Sequence, residues 1–190
     1  MSSPMTAAEF ERRYRTDPDP WRYLDSDYER AKYAATLAAC GPGPFEAALE
    51  LGGSIGVFSA LLAPRCTRLQ TIDFSPTAVA LARNRLRAYG NVDVFLGRIP
   101  DALPAGTHDL VVASEVLYYL TASELGRTLD VLRHRLALGG RLVCIHWRPD
   151  GPERPLNAAD VQHAIATQAW LSHVSSDGTD DYLLDVFERL

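Results

Sequence analysis

The α/β character of this sequence is clearest in the stretch Ala48-Leu49-Glu50-Leu51-Gly52-Gly53-Ser54-Ile55-Gly56. Its apolar first half belongs to a predicted β-strand over 45–51, and a helix is predicted directly after it over 57–63. A glycine-rich turn in this position lets the backbone approach a ligand closely, while the helix N-terminus offers N–H groups and a positive dipole end. The stretch therefore predicts a strand, a binding turn and a helix; the alternative is a tight turn that binds nothing.

Strand-like and helical segments alternate along the rest of the chain. Further strands are predicted over 68–72, 92–96, 109–113, 141–147, 170–175 and 182–188, and further helices over 28–40, 76–89, 123–136 and 157–168. The polar first 27 residues are interrupted by Asp17-Pro18-Asp19-Pro20 and predict no helix, because proline lacks an N–H and restricts its predecessor. The alternation favours an α/β fold with a doubly wound, mostly parallel sheet, whose last two strands pair antiparallel.

Length and charge limit the classes of function. The 190 residues suit a single domain, with an N-terminal helix region at 1–44 before a core at 45–190. A hydrophobic content of 47% is enough for a packed core. The 19 Lys and Arg against 24 Asp and Glu give a net charge of −5, which argues against a nucleic-acid partner. No apolar run reaches the ~20 residues of a membrane helix, so no membrane partner is expected.

The cytoplasm is the expected location. The N-terminus, Met1-Ser2-Ser3-Pro4, lacks the basic and apolar segments of a signal peptide. The cysteines Cys40, Cys66 and Cys144 are odd in number and far apart. They predict neither a disulfide framework nor a zinc site, so we expect a reduced compartment and no metal.

Two carboxylates flank the glycine turn. Asp73 follows the second predicted strand, 21 positions after Gly52, where an acid is placed to bind the two hydroxyls of an adenosine ribose. Alternatively, Asp73 caps the turn at Ser75. Glu50 lies two positions before Gly52 in a buried strand, so the two positions point the same way, and a buried carboxylate is costly unless it is paired. The ammonium group of a ligand would provide that pairing.

These features favour one cofactor over another. A dinucleotide site needs Gly-x-Gly-x-x-Gly so that the backbone can approach a pyrophosphate, but Ser54 and Val57 occupy two of these glycine positions. S-adenosylmethionine (SAM) has no pyrophosphate and carries an ammonium and a carboxylate, so it fits the pattern better. An NAD(P)-dependent oxidoreductase and a SAM-binding module without catalytic activity remain alternatives.

Four segments resemble the motifs of class I SAM-dependent methyltransferases. They lie at 48–56, 71–75, 108–120 and 138–142, with Ser54 where that family usually has a glycine. The resemblance implies a Rossmann-like sheet of seven strands with an antiparallel last strand. It also implies SAM as the cofactor and S-adenosylhomocysteine (SAH) as the product.

A narrower resemblance is to the nodulation protein S family. It is carried by Asp19-Pro20-Trp21 and by the segments at 28–33, 115–120 and 181–187. That family N-methylates the free amine of a partly deacetylated chitooligosaccharide. The resemblance therefore implies an amino-sugar-like amine, on a small molecule or an oligosaccharide, as the acceptor. O-methylation of a natural-product intermediate is the alternative, and both a monomer and a homodimer are compatible with the sequence.

Three residues near the ends of the fourth and fifth predicted strands are candidates for catalysis, because an amine must lose a proton before it attacks a methyl group. His146 ends the fifth strand with a side chain suited to proton transfer; the alternative is a structural histidine. Glu115 could orient the amine or lie along the cofactor. Tyr118 could face the sulfonium with its ring, or belong to the core.

The resemblance also implies a lid of Trp21, Arg30 and Tyr33 over SAM, with Arg30 near its carboxylate. Ordinary packing is the alternative for the two aromatic residues, and a solvated helix face is the alternative for Arg30. After the third strand, Ile99 could pack on the adenine; a loop without a binding role is the alternative. The residues expected to bind the cofactor are Trp21, Arg30, Tyr33, Glu50, Gly52, Gly53, Ser54, Gly56, Asp73, Phe74, Ser75, Gly97, Arg98, Ile99, Ser114 and Glu115.

Overall fold

The computed structural model describes residues 5–190; residues 1–4, on which the predicted absence of a signal peptide rests, lie outside the described residues. The strands are β1 (Ala48–Leu51), β2 (Leu69–Asp73), β3 (Val92–Leu96), β4 (His108–Ser114), β5 (Leu136–Trp147), β6 (Leu171–Gly178) and β7 (Tyr182–Arg189). The α-helices are α1 (Ala7–Thr16), α2 (Asp27–Cys40), α3 (Val57–Leu62), α4 (Pro76–Leu86), α5 (Ala122–Arg135) and α6 (Ala158–Ala166). None of these helices within 5–190 is long and apolar enough to cross a membrane.

The strands form one sheet in the order β3-β2-β1-β4-β5-β7-β6. Strands β1 to β5 run parallel, and β7 runs antiparallel to both of its neighbours. The predicted mostly parallel, seven-stranded α/β sheet with an antiparallel last strand is confirmed. The strand order reverses between β1 and β4, and parallel sheets bind ligands beyond the carboxyl ends of their strands at such a point.

Helices cover both faces of the sheet because strand side chains alternate in direction. Leu49 and Leu51 of β1 pack in a core cluster with side chains of α5 and α6. Ala48, whose side chain points to the opposite face of the sheet, packs in a second cluster with side chains of α2 and α3. Each face buries apolar surface at a gain of about 25 cal/mol per Å². The loops at the carboxyl ends are therefore carried by a rigid scaffold.

Helix α1 lies in a region where no helix was expected. Thr6 and Glu9 form a capping box at its start: the Thr6 hydroxyl accepts the N–H of Glu9, and the Glu9 carboxylate accepts the N–H of Thr6. Phe10 and Tyr14 are buried on its inner side. The prediction was wrong because the prolines follow the helix and end it, rather than preventing it.

Strand β5 begins earlier than predicted. The predicted turn at Gly139-Gly140 lies inside the strand, where Gly139 has φ +70°. A Cβ on Gly140 would lie 2.9 Å from the carbonyl oxygen of Ala137. The pairing of β4 with β5 changes register between His108 and Leu110. The two glycines thus form an irregularity within β5 and do not terminate the preceding helix.

Candidate active site

A cavity of about 400 Å³ lies at the carboxyl ends of the central strands. Helix α1, the segment that follows it and the start of α2 contribute to its wall. The predicted site residues that line the cavity are Trp21, Gly52, Ser54, Asp73, Phe74, Arg98, Ile99, Ser114, Glu115 and Tyr118. The volume is that of a site for a cofactor-sized ligand.

The turn after β1 brings backbone to the cavity wall. Gly52 has φ +71°, and a Cβ there would lie 2.8 Å from the side chain of Val116. A Cβ on Gly53 would lie 1.9 Å from a threonine hydroxyl of β2. Both positions therefore require glycine. Ser54 also has a left-handed backbone, with φ +49°, and its N–H donates to Asp73 Oδ2 at 2.9 Å.

Asp73 lies at the end of β2 and faces the cavity. Its two oxygens accept the N–H groups of Ser54 and Ser75, each at 2.9 Å. Burial raises the pKa of Asp73 to about 6 in spite of these hydrogen bonds. The carboxylate accepts hydrogen bonds from two turns and also lines the cavity. Asp73 can therefore cap the turn at Ser75 and face a ligand at the same time.

A smaller cavity of about 30 Å³ shares wall residues with the first one. The predicted residues Tyr33, Glu50 and Gly53 line it. Glu50 accepts a hydrogen bond from the hydroxyl of Ser59, and burial raises the pKa of Glu50 to about 7. When burial has raised the pKa of a carboxyl group in this way, a nearby cation favours its ionised form.

A buried ion-pair cluster lies at the end of β4. Lys32 Nζ, on a side chain that is 3% exposed, lies 2.9 Å from Oε1 of Glu29 and 2.9 Å from Oε1 of Glu115. Glu115 Oε2 accepts the Trp147 N–H at 2.9 Å and the Tyr118 hydroxyl. Burial opposes ionisation of Glu115, but Lys32 and these two donors outweigh it and lower its pKa. Glu115 is therefore an anion held in place by three donors.

Aromatic side chains close the cavity over the strand ends. Phe10 of α1 lies against Phe74 and Tyr119, with ring-centroid distances of 5.5 and 4.8 Å. Tyr14 of α1 lies 5.2 Å from Trp21, measured between ring centroids. All five rings line the cavity. They form an apolar cover over part of the cavity.

The lining residues that sequence reasoning missed include two of α1 and two of α2. Phe10 and Tyr14 belong to α1, and the Thr-x-x-Glu capping pattern before that helix was the signal that could have found them. Glu29 and Lys32 stand three positions apart on α2, where a charged pair is equally typical of a solvated helix face. Only the packing of α2 against the sheet, which brings Lys32 to Glu115, distinguishes a buried pair from a solvated one.

The structure does not bring Arg30 or His146 to the cavity, which corrects two expectations. The guanidinium of Arg30 pairs with Asp27 on the exposed side of α2. His146 is 0% exposed, its ring centroid lies 5.1 Å from that of Tyr118, and its Nε2 accepts the Leu117 N–H at 3.3 Å. Burial lowers the pKa of His146 to about 4. The alternative of a structural histidine describes it better than a base in contact with the acceptor.

Three other predicted cofactor residues support the site without lining it. Gly56 has φ +78° and lies so close to α4 that a Cβ would come within 3.0 Å of a leucine there. The Ser75 hydroxyl caps α4 by accepting the N–H of Ala78 at 3.1 Å. A Cβ on Gly97 would lie 2.5 Å from the Ala102 side chain. Each sets the shape of a loop that carries lining residues.

The sheet order, the glycine turn after β1, the acid at the end of β2 and the cavity between them define a class of protein, the class I SAM-dependent methyltransferases. The family model described as nodulation protein S (NodS) matches residues 4–145. The chain therefore belongs to the nodulation protein S family, as its motifs predicted.

Individual relatives agree with the family match. The chain is 35% identical over 127 residues to nodulation protein S of Rhizobium tropici, across 66% of this chain and 53% of that protein. The match thus spans about half the length of that relative. The chain is also 36% identical over 150 residues to nodulation protein S of Bradyrhizobium diazoefficiens, across 78% of this chain and 72% of that protein.

The fold is similar to a solved structure of the same family. That structure is the N-methyltransferase NodS from Bradyrhizobium japonicum WM9 in complex with SAH. The TM-score is 0.86 at 30% sequence identity, over 96% of this chain and 97% of the other. The match includes nearly all of the sheet and the helices described above.

Proposed function

We propose that this protein is a SAM-dependent N-methyltransferase whose acceptor is an amino-sugar-like amine on a small molecule or an oligosaccharide. One observation carries the proposal: a single cavity has in its wall the glycine turn with Asp73, the buried Glu29 and the half-buried Glu115. A cofactor and an acceptor held together in one cavity gain a large advantage in proximity and orientation. Membership of the nodulation protein S family supports the same reaction type.

The residues present fit SAM. Gly52 and Ser54 of the glycine turn line the main cavity, so a ligand there can lie against the turn. Asp73 faces the cavity where the ribose hydroxyls would bind, and Phe74 and Ile99 offer apolar surface to the adenine. When bound, SAM would supply a methyl group activated by the sulfonium: an amine lone pair would bond to the methyl carbon, and the electron pair of the broken C–S bond would leave with sulfur.

Glu50 would interact with the ammonium group of the cofactor, directly or through water. It lines the small cavity beside the glycine turn, and burial raises its pKa to about 7. A cation nearby favours the ionised carboxylate and so compensates its burial. This interaction would give the turn its preference for the amino-acid end of SAM.

At the acceptor end, Glu115 and Tyr118 act as a fixed pair. The Tyr118 hydroxyl donates to Glu115, and both residues line the cavity. The aromatic cover formed by α1 and the following segment keeps water from the methyl group. The protein thus contributes alignment and exclusion of solvent.

The proposal extends to the partners and location expected from the sequence. The acceptor is a small molecule or an oligosaccharide in the cytoplasm, and the net charge of −5 suits an amine-bearing acceptor better than a nucleic acid. Size-exclusion chromatography with light scattering will distinguish a monomer from a homodimer.

Thermal unfolding with three ligands tests the cofactor. SAM and SAH at about 100 times Kd should each raise Tm by roughly 5–10 °C, because they bind only the folded chain. NAD at the same concentration should leave Tm unchanged. A shift with NAD and none with SAH would replace the proposal with the oxidoreductase alternative.

Transfer of an isotope-labelled methyl group tests the acceptor. A partly deacetylated chitooligosaccharide should become labelled, while its fully N-acetylated counterpart, which has no free amine, should not. Equal labelling of both would indicate O-methylation.

A further inference from the structure

The two carboxylate oxygens of Glu29 differ in their hydrogen bonding within the described residues. Its Oε1 accepts the ammonium of Lys32 at 2.9 Å. Its Oε2 is buried and has no hydrogen-bond partner within residues 5–190. Glu29 is 7% exposed, and it lines the main cavity. An unpaired buried carboxylate oxygen is costly unless a ligand satisfies it.

The charges around Glu29 do not balance. Lys32 carries one positive charge and is shared by two carboxylates, those of Glu29 and Glu115. The oxygens of Glu115 are already engaged by Lys32, Tyr118 and Trp147. With both carboxylates ionised, the cluster carries one excess negative charge, and Oε2 of Glu29 is its carboxylate oxygen without a partner among the described residues.

The same cluster assigns the proton-accepting role to Glu29. Burial raises the pKa of Glu29, and Lys32 offsets this only in part, with Glu115 and Asp19 adding to the increase. The pKa of Glu115 is lowered. Of the two carboxylates, Glu29 is the stronger base.

Neighbouring groups on the cavity wall suit an amine. The Tyr28 hydroxyl is also buried without a hydrogen-bond partner among the described residues, and it lines the same cavity. Arg154, the nearby cation, lies with its guanidinium over the rings of Tyr118 and Trp147 at 4.6 and 5.2 Å. It donates to backbone carbonyls there and is not paired with Glu29.

We propose that Oε2 of Glu29 binds the acceptor as a protonated primary amine and removes its proton before methyl transfer. The inference rests on the proposed function. The ammonium N–H bond breaks, its electron pair stays on nitrogen as the attacking lone pair, and the proton passes to Oε2. The resulting carboxylic acid then releases the proton to solvent. A neutral hydroxyl acceptor would leave the excess charge uncompensated, so the site selects amines. Lys32 acts as a positioning residue for Glu29.

The test compares Glu29→Gln with Glu46→Gln, a matched change on an exposed residue before β1. Calorimetry should give the same SAH affinity for both variants and the wild type. For Glu29→Gln we expect kcat/KM with an amino-sugar oligosaccharide to fall on the order of 100-fold near neutral pH. The amine should also bind the SAH complex about ten times more weakly, as expected for a lost charge-assisted hydrogen bond. Binding of the N-acetylated analogue should not change.

The pH profile separates a lost base from a lost fold. The defect of Glu29→Gln should shrink as pH rises, because solvent then deprotonates the amine. If Glu29→Gln does not fold, Glu29→Asp is tested in its place. We expect this variant to be slower than the wild type, with the same fall of kcat/KM at low pH. A parallel loss at every pH, or unchanged kcat/KM, would overturn the inference alone. A wild-type protein that methylates no amine would overturn the proposed function as well.

Discussion

The hydroxyl of Tyr14 lies 2.6 Å from Oγ of Ser54, so a hydrogen bond joins helix α1 to the glycine turn after β1. Ser54 has φ +49°, a conformation that glycine adopts more easily, and the methyltransferase motif usually has glycine there. The serine therefore costs some backbone strain and gains a contact with the helix that covers the cavity. Ser54 and Tyr14 are best understood as a pair.

Replacing Tyr14 with Phe should weaken SAH binding by roughly fivefold, because one hydrogen bond that holds α1 over the cavity contributes about 1 kcal/mol. The same replacement in a Ser54→Gly background should have no effect on affinity, since the partner is already absent. Calorimetry with SAH measures both. Tyr89→Phe, which lies outside the cavity, is the control. An equal loss in both backgrounds would show that the two residues do not interact.

The sheet could be predicted from the sequence because the patterns that indicate its strands are local. The apolar runs at 45–51 and 109–113 and the glycine turn between strand and helix each occupy a few adjacent residues. Helix α1 was missed because part of its stability comes from burying Phe10 and Tyr14 against Phe74 and Ser54, which are far away in the chain. Its local signal was the capping box at Thr6 and Glu9, and the prolines lie beyond the end of the helix.

Glu50→Gln should change the pH dependence of stability. The folded pKa of about 7 exceeds the ordinary value of 4.5, so the stability contributed by the protonated group is complete below pH 4.5 and is lost as pH rises to about 7. The variant cannot ionise at this position. Its Tm in the absence of ligand should exceed that of the wild type by about 5 °C at pH 8, and the two should match near pH 4.5. Differential scanning calorimetry checks this.

The same variant reports on the cofactor. If Glu50 interacts with the ammonium of SAM, Glu50→Gln should bind SAH more weakly at pH 8 even though it is more stable. A variant that is more stable and binds SAH as tightly as the wild type would remove Glu50 from the proposed binding residues.

His146→Gln should lower stability without changing the alkaline or neutral part of the pH–rate profile. The folded pKa of about 4 lies below the ordinary value of 6.5, so the neutral histidine contributes stability above pH 6.5 that is lost as pH falls toward 4. The variant should lose a few degrees of Tm at pH 7.5, because a flexible amide replaces the packed ring that accepts the Leu117 N–H. If the wild type shows an ionisation between pH 6 and 8 in kcat/KM and the variant loses it, His146 is a base after all.

Site residues were predictable to the extent that strand ends determine them. Asp73 is the last residue of β2 and Glu115 follows β4 directly, and both line the cavity. Strand alternation alone did not predict how deeply His146 is buried, because that depends on the cover provided by Tyr118. Arg30 and Lys32 differ by two positions on one helix, and only the docking of α2 determines which of them faces inward.

The most direct test is to locate the transferred methyl group. SAM with a ¹³C-labelled methyl should be incubated with the protein and a partly deacetylated chitooligosaccharide, and the product examined by NMR. We predict a labelled N-methyl group on the free amine, formed at a rate proportional to the concentration of the protein. A labelled O-methyl group, or no labelled product with a protein that binds SAH, would contradict the proposal of an amine acceptor.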